Sequence, residues 1–458
     1  MKRLAIERLR QWKESSDRKP LIIRGARQVG KTTLVNQFAE EFDCYLYLNL
    51  DRTRDLNLFL EDDIHTLLDK IFFHCQKKKT TGQTLLFIDE IQNSAAAIKQ
   101  LRYFYEEIPD LYVIAAGSLL ESLINSGSTF PVGRVQYLAL RPCSFLEFLE
   151  GIGEEFDAQA IKQLKGSYVH ERLMAHFLNY MLVGGMPAAV VKYAEKRDVL
   201  AVDSVYSSLM NSYRDDIEKY AKKESPAAVI RLIINNGWPF AAEQITFNNF
   251  AGSNYRSREI GEALQTIERA LLLELVYPVT DPKLPFIPNF KRRPKLVWLD
   301  TGLVNYMAGV RSEIFNIDEI LSVWKGRIAE HITAQELIAF DFEFSTRRFF
   351  WVRDKESSSA EVDFVVRYRN MMIPVEVKSG HNSKLKSLHI FMDNAPHDIA
   401  VRVWPEPYSV DNVTTANGKQ FRLINLPFYY VGVLKEVLEN SIPSSDTTSL
   451  SNPTSCRV

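Results

Sequence analysis

Gly25-Ala26-Arg27-Gln28-Val29-Gly30-Lys31-Thr32 matches the pattern G-x-x-x-x-G-K-[ST] in full. An apolar run, Leu21-Ile22-Ile23, leads into it, and a helical pattern, Thr33-Leu34-Val35-Asn36-Gln37-Phe38, follows. Strand, glycine-bearing loop and helix in that order predict a phosphate cradle. The two glycines let the backbone curl so that its N–H groups face a polyphosphate at a helix N-terminus. Lys31 would then put a charge on the β- and γ-phosphates, and Thr32 a hydroxyl on Mg²⁺. The expected ligands are ATP and Mg²⁺. The expected nucleotide contacts run through Gly25, Ala26, Arg27, Gln28, Val29, Gly30, Lys31, Thr32 and Thr33.

Downstream, Thr84-Leu85-Leu86-Phe87-Ile88 reads as a strand that ends in Asp89-Glu90. Four apolar residues before an acidic pair are a weak sign alone. Behind a phosphate loop, and inside an alternation of strands and helices, they form the Walker B pattern. Asp89 is expected to complete the Mg²⁺ coordination, and Glu90 to orient and deprotonate the attacking water. The alternation predicts parallel strands near Pro20–Arg24, Cys44–Leu50, Thr84–Ile88, Leu111–Ala116 and Val135–Leu140. Ser118 stands just past the fourth of these, at the sheet edge where open α/β sheets hold their ligands. It reads either as a γ-phosphate sensor or as a turn residue capping the next helix. Arg134, before the fifth strand, reads as an arginine finger for its own or a neighbour's nucleotide, or as a plain surface arginine. Ser144-Phe145-Leu146-Glu147 is a capping box.

From Phe156 to Tyr220 the pattern is helical, broken at Val183-Gly184-Gly185-Met186-Pro187. Arg214 either reaches the nucleotide from this lid or makes a surface ion pair. Beyond it, a helix near Pro226–Asn236, a turn at Gly252, an amphipathic helix Arg258–Leu273 and two short strands around Lys291-Arg292-Arg293 outline a winged helix-turn-helix. Its second helix would carry Asn254, Arg256, Arg258 and Gln265 toward a groove, with the wing basics on phosphates. Its alternative role is that of a structural connector.

A third constellation lies further on. A helix Gly326–Phe340 carries Glu330 and Glu336, and Glu361-Val362-Asp363 and Val375-Glu376-Val377-Lys378 flank a two-residue turn at Arg369-Asn370. A hairpin on that turn sets Asp363 opposite Glu376 and Glu361 opposite Lys378. Like charges roughly 5 Å apart are destabilising unless a cation stands between them. A second Mg²⁺ or Mn²⁺, with oxygen ligands from Asp363 and Glu376, is the expected solution. Lys378 would position a hydroxide or stabilise charge on a phosphate, with Glu330 as a third carboxylate. This is the D-x(n)-E-x-K pattern of PD-(D/E)xK nucleases, a loose pattern that chance pairs on exposed hairpins also satisfy.

Composition sets the limits around these motifs. At 458 residues the chain exceeds one core. The expected units are an ATPase core at 1–150, a helical lid at 151–221, a winged helix at 222–300, a nuclease-like α/β unit at 301–430 and a mostly disordered tail at 431–458, rich in Ser, Thr and Pro from Ser441 on. The net charge of −1 carries no electrostatic footprint for nucleic acid, so any DNA site must be a local patch. Four scattered cysteines give no zinc or disulfide framework. No leader or membrane span is evident, and a cytoplasmic protein is expected.

Taken together, GARQVGKTTL, LLFIDEIQ, AAGSLL, FPVGR with RPCSFLEF, VGGMP, LDTGL and EVDFVV…IPVEVKSG resemble one group over residues 1 to about 430. These are the prokaryotic AAA-type ATPases whose ATPase module is followed by a conserved domain of unknown function. The resemblance implies an AAA+-like P-loop core, a winged-helix middle and a restriction-endonuclease-like end. It places nucleotide roles on Lys31, Thr32, Asp89 and Glu90, and nuclease-type positions on Asp363, Glu376 and Lys378. The partner it leaves open is double-stranded DNA or a protein, and the oligomeric state is open as well.

Overall fold

The computed structural model describes residues 1–79, 81–118, 131, 133–217, 224–309, 320–354, 360–380 and 385–442. Phe130 and Val132 of FPVGR, Lys222 at the start of the middle unit, and residues 443–458 of the expected tail lie outside the described residues, whereas its first part is ordered, with Leu434, Val437 and Leu438 of the helix Leu434–Ser441 buried in the core.

Among the described residues, strands β1 (Leu21–Arg24), β2 (Cys44–Asn49), β3 (Thr84–Asp89), β4 (Tyr112–Gly117) and β5 (Gln136–Ala139) form one sheet in the order β2-β3-β4-β1-β5. Every pairing in it is parallel. The strands are short apolar runs because both faces are covered. Leu21, Ile23, Leu85, Phe87 and Ile114 pack with Leu34, Val35 and Phe38 of the helix Lys31–Phe38. Ile22, Leu46, Leu48, Leu86 and Ile88 pack under the helices Ile64–His74 and Ala95–Glu107. Each such side chain contributes about 1.5–3 kcal/mol on burial.

The helical stretch resolves into Glu155–Lys162, His170–Val183, Pro187–Lys196 and Asp203–Asp215. Gly184 makes the central break with a φ of 79°, in the region that favours glycine. The VGGMP and LDTGL stretches meet there. Asp300 caps the helix Thr301–Ala308 by accepting from Leu303 N, and its other oxygen accepts from Gly185 N at 2.6 Å.

The helices Glu224–Asn236 and Ser257–Arg269 precede an antiparallel pair, β6 (Leu273–Val279) and β7 (Lys295–Trp298). This pair does not end a separate unit at residue 300. Leu273–Val276 pair with β7, and Tyr277–Val279 pair with β8 (Phe349–Val352), whose neighbour is β9 (Glu361–Tyr368). A seven-residue strand against a four-residue partner leaves backbone groups over, and β8 satisfies them. With β10 (Met371–Val377), β11 (Ile399–Trp404), β12 (Ser409–Thr414) and β13 (Gln420–Pro427) the result is an eight-stranded sheet, β12-β13-β11-β10-β9-β8-β6-β7. The expected borders near 150, 221 and 300 are also crossed by packing. One core holds Ile23, Phe148, Tyr180, Trp298, Ile332, Val375 and Leu426. Among the described residues, no helix is long and apolar enough to cross a membrane.

Candidate functional sites

The loop Gly25–Gly30 sits at the carboxyl end of β1, and Gly30, with φ 94°, caps the helix Lys31–Phe38. Gly25 has no room for a side chain, since a β-carbon there would stand 2.5 Å from the Leu140 carbonyl oxygen. Lys31 Nζ donates to the carbonyls of Gly25 and Ala26, each at 3.0 Å. Burial brings its ammonium down to about 8, against the pull of Glu90 and Asp89. Thr32 Oγ1 donates to Asp89 Oδ2 at 2.7 Å. Hydroxyl and carboxylate oxygens so close suit a hard cation, and the pair fits Mg²⁺. Glu90 has φ 55°, left-handed for a non-glycine residue, which costs about 1–3 kcal/mol. It lines the cleft, and its Oε2 accepts from Gln92 Nε2.

The cleft encloses about 670 Å³, with Arg27, Gln28, Gly30, Thr32 and Thr33 on one side and Pro187, Val191, Lys192 and Glu195 of the lid on the other. The lid also touches the loop through Asp216, which accepts from Arg27 Nη1 at 2.6 Å. Arg214 turns away to Asn235, so it is the neighbouring carboxylate and not this arginine that reaches the loop. Ser118 follows Gly117, the partner of Arg24 in the β1–β4 register, and so stands beside the start of the loop. Arg134 lies elsewhere. It precedes β5, whose first residue pairs with Leu21 at the opposite end of β1 from the phosphate loop, and it is bound to Glu106. Action on its own nucleotide is thereby corrected, because sheet length separates the two.

Arg3 is the residue that motif reading misses. Buried behind the loop, it donates through Nη1 to Val29 O at 2.7 Å and through Nε to Glu147 Oε1 at 3.0 Å. Glu147 is half of the Ser144 capping box, and the next N–H of that helix start, from Phe145, goes to Glu336 Oε1 at 3.0 Å. Tyr180 O–H donates to the same oxygen at 2.7 Å. Burial pushes the Glu336 carboxyl up to about 7.

The C-terminal hairpin turns at Arg369-Asn370 and keeps the register of a two-residue turn through Val375 opposite Phe364. There the ladder stops, and Val377 N donates to Asp363 Oδ2 at 2.8 Å. Glu376 Oε1 meets Lys378 Nζ at 2.8 Å, and Glu376 Oε2 is buried without a hydrogen-bond partner among the described residues. Glu330, on the helix Ile320–Leu337, faces the same cluster. The cation among these carboxylates is a lysine. Lys295 Nζ, from β7, lies 2.6 Å from Glu361, 3.2 Å from Glu330 and 3.6 Å from Asp363. An ammonium therefore stands where the divalent ion was expected, and among the described residues these carboxylates do not bring three ligand oxygens as close together as a metal site needs. Burial raises Glu376 to about 8 and Glu330 to about 7, and it also raises Asp363. Burial would lower Lys295, but Glu330, Glu361 and Asp363 together lift it.

Residues 17–149 match the family model described as an AAA domain. Over these residues the chain is similar to AAA-type domains, and the glycine loop described above lies inside the matched stretch. Beyond this match, residues 174–314 and 325–427 match two families described only as domains of unknown function, DUF8612 and DUF4143. No curated relative matches the sequence. Among solved structures, a Walker-type ATPase of Pyrococcus abyssi is 13% identical at a TM-score of 0.43, over 66% of this chain and 95% of that one. The Holliday-junction branch-migration motor RuvB of Thermotoga maritima is 16% identical at a TM-score of 0.27, over 63% and 89%. The Orc1 protein of Aeropyrum pernix, in complex with DNA, is 8% identical at a TM-score of 0.27, over 68% and 93%.

Proposed function

We propose that the protein is a Mg²⁺-dependent ATPase whose nucleotide state controls a C-terminal, nuclease-like unit acting on DNA. The observation that carries the coupling is the bonded route from Val29 O through Arg3, Glu147 and the helix start at Phe145 to Glu336. Glu336 shares its helix with Glu330, so a displacement of the phosphate loop has a direct path to the carboxylate cluster. In this reading Lys31 binds the β- and γ-phosphates, Thr32 and Asp89 hold Mg²⁺, and Glu90 orients and deprotonates the attacking water. Bound Mg²⁺ would neutralise charge developing on the transferred phosphoryl group. In this reading Ser118 senses the γ-phosphate and Arg134 serves a neighbouring copy.

DNA as the partner is favoured by a local patch on the winged-helix-like middle. Asn254, Arg256, Arg258 and Gln265 are exposed, as are Lys291, Arg293 and the ring of Phe290. Cations beside an exposed aromatic suit phosphates and unstacked bases. A second reading, an ATP-dependent switch whose C-terminal unit docks a protein, is favoured by Lys295 standing among the carboxylates. Measuring ATP turnover with Mg²⁺, and DNA binding with and without ATP, tests both. Lys31→Ala should abolish turnover, and unchanged hydrolysis would sink the ATPase reading. Salt-sensitive DNA binding that changes with ATP supports the first reading, and no DNA binding supports the second.

A further inference from the structure

Lys295 is separated in sequence from every carboxylate it touches, yet the fold delivers it to their midst with little freedom. Its backbone is fixed in β7 opposite Val276 and bridged on its other side to Gln244. Its side chain is 3% exposed and runs between the rings of Phe350 and Phe364, with Nζ 5.0 and 5.6 Å from their centres. Gln244 Nε2 also donates to Glu361, the closest of the three carboxylates, and so orients it toward the ammonium.

The charges are distributed unevenly. Glu330, Glu361 and Asp363 share Lys295, and Glu376 has Lys378 on one oxygen. Glu376 Oε2 is buried and meets no donor among the described residues. Glu376 and Asp363 are the two residues that the nuclease-like pattern assigns to a metal, and Asp363 Oδ1 is the oxygen of that residue nearest Lys295. A Mg²⁺ on Asp363 Oδ1 would lie about 2.1 Å from it, and so within roughly 6 Å of Lys295 Nζ, with little water between to screen the two cations. The ammonium also engages Glu330 and Glu361, the carboxylates that could otherwise have completed the ion's coordination.

We propose that Lys295 is the resident cation of this centre and excludes divalent ions from it, so that Asp363 and Glu376 take Mg²⁺ or Mn²⁺ only when the Lys295 ammonium is removed or withdrawn. The proposal rests on the nuclease-like reading of the C-terminal unit, and it adds to that reading a lock supplied by the middle of the chain. Because Lys295 belongs to β7, any event that shifts the β6–β7 pair acts on the lock directly.

The test is a count of bound Mn²⁺ by electron paramagnetic resonance, with the full chain and without nucleotide. Wild type and Asp363→Asn should bind the same number of ions. Lys295→Met should bind one more per chain, at least tenfold more tightly than any ion wild type takes at this centre. The double variant Lys295→Met/Asp363→Asn should lose that extra ion. A wild-type ion that Asp363→Asn removes overturns the proposal, and so does a folded Lys295→Met that gains none. Should Lys295→Met fail to fold, Lys295→Gln keeps a polar chain in place and carries the same two expectations. The readout is metal alone, so a protein that never acts on DNA fails the proposed function without altering this count.

Discussion

Phe145 donates its backbone N–H to Glu336 Oε1 across 191 positions of sequence, at 3.0 Å and out of contact with water. The donor is one of the orphan N–H groups of a helix start, and the acceptor comes from the helix that also carries Glu330. Burial, offset in part by the Tyr180 and Phe145 hydrogen bonds, holds this carboxyl at about 7 in the folded chain, against an ordinary value of 4.5. The folded state therefore binds the proton more tightly than the unfolded one. The stability from this group is complete below about pH 4.5, falls as pH rises, and is gone once pH passes about 7. Glu336→Gln removes the titration while keeping an acceptor for Phe145 and Tyr180. Denaturant unfolding at pH 5 and pH 8 should show wild type losing about 2.5 kcal/mol more than the variant. Equal losses would mean that Glu336 is ionised throughout.

Arg3 and Glu147 form a buried pair that also grips the phosphate loop at Val29. Removing one member strands the other charge, at a cost of about 3–5 kcal/mol. Arg3→Met should therefore lower the melting temperature and weaken ATP binding together. Arg3→Met/Glu147→Gln should recover stability but not affinity, because the hold on Val29 O is still missing. A double variant that recovers both would reduce Arg3 to a partner of Glu147 alone.

Lys31 titrates at about 8 because it is buried, and only its charged form attracts phosphate. ATP affinity should be level below about pH 7.5 and fall toward tenfold per unit above about 8.5. Titration calorimetry in two buffers of different ionisation heat should detect proton uptake on binding at pH 8.5. An affinity that stays flat to pH 10 would place the lysine's titration far higher.

Legibility in the sequence followed the separation of the partners. The phosphate loop, the Walker B strand and the hairpin register through Val375 opposite Phe364 could be read because their residues are near neighbours or fixed by a two-residue turn. The join of Tyr277 to Phe349 could not, since no local pattern says which distant strand will satisfy the spare half of β6. The same limit hid Lys295. In Lys291-Arg292-Arg293-Pro294-Lys295 it looks like one more basic residue, and only the β6–β7 pairing turns it inward while Lys291 and Arg293 remain exposed. β12 escaped notice for another reason. Its sequence Ser409–Thr414 is mostly exposed at the sheet edge and carries no apolar alternation.

That contrast within one short stretch gives a test of the DNA reading. Lys291 and Arg293 point to solvent, so their replacement should leave the fold and the Lys295 cluster intact. If each sits on a phosphate, Lys291→Ala/Arg293→Ala should weaken duplex binding by a similar factor for every sequence tried. It should also reduce the slope of log affinity against log salt by about 1.8, two contacts at roughly 0.9 each. Replacing Asn254 and Arg256 should instead change the preference among sequences, because only base edges carry that information. Fluorescence anisotropy across a salt series separates the two effects. An unchanged slope in the Lys291/Arg293 variant would remove the wing from the interface and leave the protein-docking reading as the stronger one.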